Sequence, residues 1–233
     1  MNTSLDYIKT ILPGIKGLIL DMDGVLVDTE PIHMKSFAIF LDRLELSYDD
    51  GFLQSLIGYS IDENIRVINQ KYFKYEKIPV TEGVLQRDRI YVNLLKNTSL
   101  QPMNGIKDLI DICSKKNLKL ALASSSDREQ VDIIIDGLKD LKLRSRLKSI
   151  VSGDEVEYKK PQPEIYLKTQ NNLGLIGRQC LAIEDSDAGV SSARAAGCYC
   201  LALKNPYTKV HKHPQANGFL NSILEITDIF RQI

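Results

Sequence analysis

Short runs of apolar residues, each followed by a longer amphipathic stretch, restrict the possible folds of this sequence more than any other feature. Each run has four to six residues and is apolar at consecutive positions. Such runs are typical of strands that are buried on both faces of a parallel sheet. We predict five of these strands: Gly17–Leu20, Leu118–Ala123, Lys148–Ser152, Cys180–Ile183 and Tyr199–Leu203.

Amphipathic helices are predicted between these strands. Apolar residues recur at helical spacing in Asn104–Lys116, and Asp127–Leu138 and Pro163–Leu173 show the same pattern. We expect Asp127 to cap the second helix, and Pro163 suits the first turn of the third. This alternation predicts an α/β fold, with a Rossmann-like parallel sheet core flanked by helices.

A purely helical stretch interrupts the alternation between the first and second strands. About 65 residues of helix are too many for one crossover connection. We therefore predict an inserted all-helical cap subdomain at residues 31–97, and an α/β core formed by residues 1–30 and 98–233. The hinges are expected at Glu30–Pro31 and Asn97–Pro102. The predicted helices of the insert are Ile32–Leu44, Ile61–Tyr72 and Thr81–Lys96.

The charge balance excludes some classes of partner. Lys and Arg together number 30, as do Asp and Glu, so the formal net charge is zero. A nucleic-acid-binding protein usually carries an excess or a stripe of basic residues, and an anionic membrane attracts basic surfaces. We therefore expect neither a nucleic acid nor a membrane as a partner.

The N-terminus and the cysteines favour a cytoplasmic location. Residues 1–17 lack the basic start, apolar centre and small-residue cleavage site of a signal peptide. No apolar run reaches the roughly 18 residues of a membrane span. Four cysteines in 233 residues are too few for a disulfide scaffold. We expect a cytoplasmic monomer in a reducing setting.

Two pairs of acidic residues follow two of the predicted strands. Asp21 and Asp23 come directly after the first strand, in DMDGVLVDT, and Glu184 and Asp185 come after the fourth. Loops at the carboxyl ends of parallel strands form the ligand crevice of an α/β sheet. Carboxylates this close repel unless a proton or a cation neutralises them, and Mg²⁺ prefers carboxylates and waters. The pairs suggest a Mg²⁺ site, although an acidic turn before a helix stays an alternative for the first. Asp187 is expected only to cap the next helix.

A serine and a lysine follow the second and third predicted strands. Ser124 ends the second strand, in ASSSD, and Lys160 lies after the third, in KKPQPEIY. Pro161 and Pro163 favour a rigid, extended segment that fixes the direction of the lysine. Taken alone, a serine after a strand is more often a helix cap, and a lysine before a proline is usually solvated.

The ordered set DMDGVLVDT, ASSSD, KKP and EDSDAG resembles the four motifs of the haloacid dehalogenase superfamily, across residues 17–204. The helical insert resembles the C1 cap of that superfamily. The form DMDGVLVDTEP, followed by a histidine, is similar to the β-phosphoglucomutase-like phosphatases. The resemblance implies a Mg²⁺-dependent phosphatase that acts on a small phosphorylated metabolite, and a sugar phosphate is the preferred candidate.

The resemblance also implies the catalytic roles. Asp21 would be the nucleophile that attacks phosphorus and forms an aspartyl-phosphate. Asp23 would protonate the leaving alcohol and then serve as the base for water. Ser124 would donate a hydrogen bond to a phosphoryl oxygen, and Lys160 would offset the charge on the nucleophile and the phosphoryl group.

The implied metal ligands are Asp21, the backbone carbonyl of Asp23, and Asp185, with Glu184 bound directly or through a water. The side chains of Asp21, Asp23, Glu184 and Asp185 together carry a charge of −4, and Lys160 carries +1. A divalent cation brings the site to −1, and a proton on Asp23 brings it to neutrality. The metal is therefore expected to bind before a phosphate dianion is tolerated.

The cap is expected to choose the substrate. The resemblance places Thr29, His33 and the Gly58 loop near the entrance, and Arg87 aligns with a basic cap residue of the mutase. The backbone N–H of Ser125 is a further donor to the substrate. The plainer alternatives are a surface histidine at position 33 and a solvated helix face at position 87.

One departure separates hydrolase from mutase. The mutase carries an arginine shortly after the glycine of its cap loop, and Ile61 occupies that position here. This departure weakens the case for a bisphosphorylated intermediate. Hydrolysis is the preferred prediction, β-phosphoglucomutase is the alternative, and a non-catalytic sugar-phosphate-binding regulator is less favoured because binding needs no nucleophile.

A zinc site is a further alternative. Cys198, Cys200, His211 and His213 would supply four nitrogen and sulfur ligands. The two cysteines fall at the start of a predicted buried strand, where cysteine is a common small apolar residue. We therefore expect them to be structural.

Overall fold

The structure is a computed structural model that describes residues 4–205 and 214–232. The chain divides into two compact units, Met1–Asp28 with Leu100–Ile233, and Thr29–Ser99. The second unit begins and ends two residues outside the predicted insert. Glu30 and Pro31 form the first turn of a helix just after the boundary between the units, where the fixed φ of proline is tolerated, and the hinge predicted there stays a prediction.

In the described part of the first unit, six parallel strands form one sheet, in the order β3-β2-β1-β4-β5-β6. All but the last match the predicted apolar runs, which confirms the Rossmann-like core. Their bounds are Gly17–Leu20 (β1), Lys119–Ala123 (β2), Leu147–Val151 (β3), Cys180–Glu184 (β4), Tyr199–Leu203 (β5) and Gly218–Leu220 (β6).

The central strand β1 fixes where the site forms. Every residue of β1 is buried, as expected for a strand covered on both faces. Leu20 lies opposite Leu122 of β2 on one side and Ile183 of β4 on the other. Because the three strands are parallel and in this register, their carboxyl ends lie at one edge of the sheet.

The sequence patterns missed β6. This strand has three residues at the edge of the sheet, and the side chain of Phe219 at its centre is half exposed. So short a segment carries neither a buried apolar run nor a clear alternation. It pairs with β5, where Ala202 lies opposite Phe219.

Eleven α-helices occur within the described residues. Helices α2 to α5 belong to the second unit, and the others flank the sheet. Their bounds are Ser4–Ile11 (α1), Glu30–Arg43 (α2), Asp50–Ser55 (α3), Ile61–Tyr72 (α4), Val80–Lys96 (α5), Ile106–Lys115 (α6), Arg128–Gly137 (α7), Leu143–Arg146 (α8), Glu164–Leu173 (α9), Asp187–Ala195 (α10) and Ile223–Gln232 (α11). None of these helices has the length and apolar character needed to cross a membrane.

Two expected helix caps are wrong. Asp127 occupies the cap position of α7, but its side chain accepts no capping bond and pairs with the Lys159 Nζ at 3.1 Å. Asp187 is already the first residue of α10, and Ser186 caps that helix by accepting the N–H of Gly189 at 3.0 Å. At α7 the Asp127 carboxylate bonds to a lysine instead of the helix end. At α10 the preceding residue, Ser186, has the extended backbone of a cap and takes that role.

The second unit consists of helices among the residues described, as predicted. Its apolar cluster is built from α2, α3, α4 and α5, and includes Phe37, Phe40, Ile65, Ile68 and Ile90. Helix α3 was not predicted, since its six residues are too few to show a helical period. The unit has its own buried core, as a separately packed subdomain requires.

Candidate active site

Asp21 is the first residue after β1, and its backbone stays anchored to the sheet. Its N–H donates to the carbonyl of Ile183 at 3.0 Å, so the direction of its side chain is set by the strand. The residue is only 7% exposed. An acidic side chain at this depth needs a partner, because a buried carboxylate without one is costly.

The loop after Asp21 turns tightly through Gly24. The Gly24 N–H donates to the carbonyl of Val27 at 2.8 Å, and its φ is +75°. A Cβ at this position would lie 2.0 Å from Oδ2 of Asp185, so only glycine allows the two loops to approach. This contact brings the first and second acidic pairs together, as the sequence predicted they should be.

Lys160 is the positive charge of the site. Its Nζ lies 2.5 Å from Oδ1 of Asp21 and 2.5 Å from Oε1 of Glu184, and it also donates to the carbonyl of Ala123 at 3.0 Å. Its side chain is 5% exposed, so the alternative of a solvated lysine is wrong. Burial alone would lower the pKa of Lys160, but the two carboxylates outweigh burial and raise it.

The segment that carries Lys160 is a turn, not the extended chain predicted from its prolines. The Gln162 N–H donates to the carbonyl of Lys159 at 3.1 Å, and the Lys160–Pro161 peptide bond is cis. In this turn Lys160 contacts two carboxylates that are distant in sequence, which the local prolines did not reveal.

Glu184, the last residue of β4, is fully buried and held by three donors. Its Oε1 accepts from Lys160 and from the hydroxyl of Tyr166 at 2.8 Å, and its Oε2 accepts from Ser186 at 3.1 Å. Sequence reasoning missed Tyr166 and Ser186. The acidic residue at the end of β4 did not indicate Tyr166, which lies in helix α9.

Asp185 completes a group of three side chains that could hold a cation. One carboxylate oxygen from each of Asp21, Glu184 and Asp185 lies within 4.8 Å of the others. The carboxylate of Asp23 is not in this group; its predicted contribution is the backbone carbonyl, which stays a prediction. Oδ2 of Asp185 accepts a hydrogen bond from Asn205 at 2.7 Å, a residue that sequence reasoning also missed.

The pKa values of these carboxyls record the crowding of negative charge. Burial, and then the Glu184 carboxylate, hold the pKa of Asp21 well above its usual range. Burial and Glu184 raise the pKa of Asp185 to about 7, against an opposing hydrogen bond from Asn205. One lysine does not balance this many buried acids, so the group favours a proton or a cation.

Ser124 follows β2 directly and is fully buried. Its N–H donates to the carbonyl of Val151 at 3.0 Å, which extends the pairing with β3. Its Oγ accepts the N–H of Ser126 at 3.1 Å, which leaves its O–H to donate elsewhere. Ser125 is half-buried in the same loop. The hydroxyl of Ser126 donates to Oδ2 of Asp23 at 2.9 Å, a contact that the sequence did not suggest.

His33 and Arg87 form a cluster within the second unit. The Nη2 of Arg87 contacts Nδ1 of His33, whose ring stacks on Tyr91 with centroids 4.1 Å apart. The guanidinium also lies 4.7 Å from the ring centroid of Phe37. Arg87 is 1% exposed and His33 is half-buried, so the plainer alternatives of a solvated arginine and a surface histidine are wrong.

The contact with Arg87 fixes the protonation of His33. A guanidinium has no acceptor, so Nδ1 of His33 accepts and the ring proton lies on Nε2. Burial, and then the charge of Arg87, hold the pKa of His33 well below its ordinary 6.5. The imidazole is therefore neutral near pH 7 and has an N–H donor at Nε2.

The remaining cap candidates lie in the same unit. Thr29 is buried at the start of α2, where its carbonyl accepts the N–H of His33 at 2.9 Å. Gly58 is exposed in the loop between α3 and α4. Ile61 begins α4 and packs against the apolar cluster of the unit, so it brings no charge to that loop.

The zinc alternative receives no support from the cysteines. Cys198 and Cys200 are fully buried in the apolar cluster of the sheet, as small apolar residues would be. His211 and His213 lie outside the described residues. Within those that are described, the group of possible metal ligands is the three carboxylates of the strand ends.

Comparisons with known proteins agree with the four motifs. The family model of the haloacid dehalogenase-like hydrolases matches residues 18–203. Protein CbbY of Rhodobacter capsulatus is 30% identical over an alignment that covers 84% of this chain and 88% of its own length. A phosphorylated carbohydrates phosphatase of Thermotoga maritima is 26% identical over 89% of this chain and 91% of its own.

Two further matches concern a mutase and the fold. The β-phosphoglucomutase of Bacillus subtilis is 28% identical over 81% of this chain and 83% of its own length. The crystal structure of CbbY from Rhodobacter sphaeroides superimposes with a TM-score of 0.79 at 24% identity, covering 91% of this chain and 96% of that one. At that identity the structural match supports the fold alone.

Replacing Asp185 by Asn should stabilise the metal-free protein near neutral pH. The pKa of Asp185 is about 7 when folded and near 3.8 otherwise, so folding opposes its ionisation. That cost grows as the pH rises above the unfolded value and is complete above the folded one. In the absence of metal, Asp185→Asn should therefore raise Tm by several degrees at roughly pH 7.5, and barely at acidic pH.

The same melting experiment, repeated with Mg²⁺, tests the metal group. Mg²⁺ should raise Tm of the natural protein more at neutral than at acidic pH, because protons must leave the carboxyls first. Asp185→Asn should remove that response, and the exposed Asp140→Asn should keep it. An Asp185→Asn variant that melts lower without metal, or still responds fully to Mg²⁺, would contradict the assignment.

Replacing Arg87 by Gln should raise the pKa of His33, because it removes a positive charge that opposes protonation of the ring. Burial would still keep the pKa below its ordinary value. An NMR titration of the His33 ring measures the shift. Arg89→Gln, an exposed neighbour on α5, is the matched control and should leave the titration unchanged. A His33 pKa unaltered in Arg87→Gln would sink the proposed coupling.

Proposed function

The chain belongs to the haloacid dehalogenase-like hydrolases, and from that premise we propose that it is a Mg²⁺-dependent phosphomonoester hydrolase that forms an aspartyl-phosphate on Asp21. The observation that carries this proposal is the contact of one buried lysine with two carboxylates, one directly after β1 and one at the end of β4. Lys160 Nζ lies 2.5 Å from Asp21 Oδ1 and from Glu184 Oε1. A pure binding site for a phosphate would gain nothing from two carboxylates at its centre.

The broader assignment, a phosphatase of this superfamily, was predicted from the four motifs and is confirmed by the family match and the phosphatase among the relatives. The finer points are our proposal. They are the metal, the covalent intermediate, the residue roles and the class of substrate.

In the first step, a carboxylate oxygen of Asp21 attacks the phosphorus of the substrate. The new bond joins that oxygen to phosphorus, and the bond from phosphorus to the alcohol oxygen breaks. Asp23 gives its proton to the departing alcohol. Lys160 beside Asp21 offsets the negative charge that nucleophile and phosphoryl group bring together.

In the second step, water hydrolyses the aspartyl-phosphate. Asp23, now ionised, takes a proton from the water while the water oxygen bonds to phosphorus. The bond between phosphorus and the Asp21 oxygen breaks. Ser124 has its O–H left to donate to a phosphoryl oxygen, and the N–H of Ser125 is a second donor in the same loop. Inorganic phosphate leaves, and Asp23 has regained the proton it spent.

The donor set of the site fits Mg²⁺. Asp21 and Asp185, with the carbonyl of Asp23, would hold the ion through hard oxygen ligands. Glu184 already accepts three hydrogen bonds, which favours contact through a water. When bound, the ion supplies positive charge that offsets the carboxylates and the phosphoryl oxygens. Three buried acids with one lysine are consistent with such a requirement.

A sugar phosphate is the proposed substrate class. One relative is named a phosphorylated carbohydrates phosphatase and another a β-phosphoglucomutase, and both names concern phosphorylated sugars. Within the cap, His33 is a neutral ring whose Nδ1 accepts from Arg87, and Arg87 is a buried guanidinium that also pairs with Asp88. These groups suit sugar hydroxyls and an anionic substituent. Thr29 and Gly58 are proposed to contribute to the same selection. A cytoplasmic location and a monomeric state stay predictions.

A mutase is the second candidate, because one relative carries that name. Ile61 argues against it, since an apolar residue packed in the cap cluster cannot hold a second phosphate. The two activities differ in their products. A hydrolase releases inorganic phosphate, whereas a mutase isomerises β-glucose 1-phosphate and depends on a bisphosphate primer.

Replacing Asp21 by Asn should abolish turnover without unfolding the protein, because the amide keeps an oxygen acceptor for Lys160 but is no nucleophile. Phosphate release and circular dichroism check the two halves of this expectation. Asp23→Asn should also lose most turnover. With p-nitrophenyl phosphate, a good leaving group, it should accumulate phosphorylated protein, detectable by intact mass. Full metal-dependent activity in Asp21→Asn would rule out the proposed nucleophile.

A screen of phosphomonoesters with and without Mg²⁺ tests the substrate class. We expect phosphate release from hexose phosphates that requires Mg²⁺, and less from nucleotides, phosphoglycolate and polyol phosphates. Omission of the metal, or its removal by a chelator, is the control within each reaction. Isomerisation of β-glucose 1-phosphate that depends on a bisphosphate primer, without net phosphate release, would favour the mutase instead.

A further inference from the structure

The loop after β2 contains a serine that the four motifs do not use. We propose that Ser126 is a positioning residue for Asp23, whose carboxyl it holds by donating its hydroxyl to Oδ2 at 2.9 Å. The inference rests on the proposed function, in which Asp23 protonates the departing alcohol. The two residues are 103 positions apart in sequence, and both lie in the first unit.

The backbone of Ser126 is fixed on both sides. Its N–H donates to Oγ of Ser124 at 3.1 Å, and its carbonyl accepts the N–H of Gly153 at 2.8 Å. A serine side chain has one rotatable bond that places its oxygen. With the backbone held at N–H and carbonyl, the hydroxyl therefore has a defined position from which to reach Asp23.

Gly153 allows the loop that contains Ser125 and Ser126 to pack closely against the chain after β3. A Cβ there would lie 2.1 Å from the carbonyl oxygen of Ser125, so glycine alone permits the contact between the two backbones. Gly153 is itself held by its neighbours. Oδ1 of Asp154 accepts the N–H of Arg128 at 3.0 Å, and Arg128 Nη2 donates to the carbonyl of Ile150 at 3.0 Å. The end of β3, the start of α7 and the serine loop are thus tied together.

The contact orients the carboxyl for proton transfer. The Ser126 hydroxyl donates to Oδ2 of Asp23 from a different loop, so it restrains the direction of that carboxyl. Ser126 thereby helps to set the plane of the carboxyl from which the proton is delivered. General acid catalysis contributes about 10²–10⁴-fold, and it is sensitive to the placement of the acid. Without the Ser126 hydroxyl the carboxyl would be placed less precisely and would lose part of that factor.

A comparison of leaving groups isolates this role. An alkyl phosphate releases a poor leaving group that needs the proton of Asp23, whereas p-nitrophenyl phosphate releases a stable anion that does not. Ser126→Ala should lower kcat/KM for a hexose phosphate about tenfold or more, and for p-nitrophenyl phosphate by less than about twofold. Because kcat/KM covers the steps up to phosphorylation of Asp21, the later water attack does not enter the comparison.

Three further variants sharpen the test. Ser126→Thr keeps the hydroxyl and should restore most of the activity on the hexose phosphate. Ser145→Ala removes an exposed hydroxyl that bonds only locally, to the carbonyl of Lys142 at 2.9 Å, and should change neither substrate. Combining Ser126→Ala with Asp23→Asn should cost no more selectivity than Asp23→Asn alone, since Ser126 acts through Asp23.

Equal losses on the two substrates, or no loss on either, would overturn the inference. Equal losses would mean that Ser126 binds the phosphoryl group or only supports the loop, and melting temperatures would separate these. An additive loss in the double variant would overturn it as well. If the natural protein released phosphate from neither substrate with Mg²⁺, the proposed function would fail, and the inference with it; activity without leaving-group selectivity would remove the inference alone.

Discussion

The contact of Lys160 with Asp21 and Glu184 is the interaction on which the rest of the site depends. Charges at this depth are tolerated only when they are paired and hydrogen-bonded, and the lysine pairs with both acids at 2.5 Å. A third acid, Asp185, leaves an excess of negative charge that burial intensifies. Burial, and then the charge of Glu184, raise the pKa values of Asp21 and Asp185, and the same excess of negative charge makes the site attractive for a cation. Stability and chemistry are therefore coupled through one group of charges.

Sheet topology supplies the geometry that this charge group needs. The order of the strands puts β1 between β2 and β4, so Asp21, Ser124 and Glu184 all leave the sheet at one edge. Lys160 reaches the same place from the connection between β3 and α9. Glycine allows the loops to meet there without a clash. The apolar strands thus set the position of the polar groups of the site.

The second unit, the cap, differs from the core in the kind of charged group that it buries. It has its own apolar cluster, and its charged group is a buried arginine that lies against aromatic rings and a neutral histidine. Burial lowers the pKa of Arg87, but the ordinary pKa of an arginine is so high that the guanidinium keeps its charge. Burial, and then the charge of Arg87, lower the pKa of His33, so the histidine gives up its proton. The core site thus gathers several carboxylates around one lysine, whereas the cap cluster sets one arginine against Asp88 and a neutral histidine. This division matches a proposed task of chemistry in one and substrate choice in the other.

The sequence by itself determined the strand and helix pattern of the core, the helical insert and the four positions at the strand ends. It could do so because buried strands require continuous apolar runs and because ligands of parallel sheets gather at carboxyl ends. Only the tertiary structure decided the burial of Arg87, the turn around Lys160, and the partners Tyr166, Asn205 and Ser126. Ser126 and Asp23 are 103 residues apart, and Lys160 and Asp21 are 139 apart. Local sequence patterns do not indicate contacts between residues so far apart, because the order of the strands in the sheet determines those contacts.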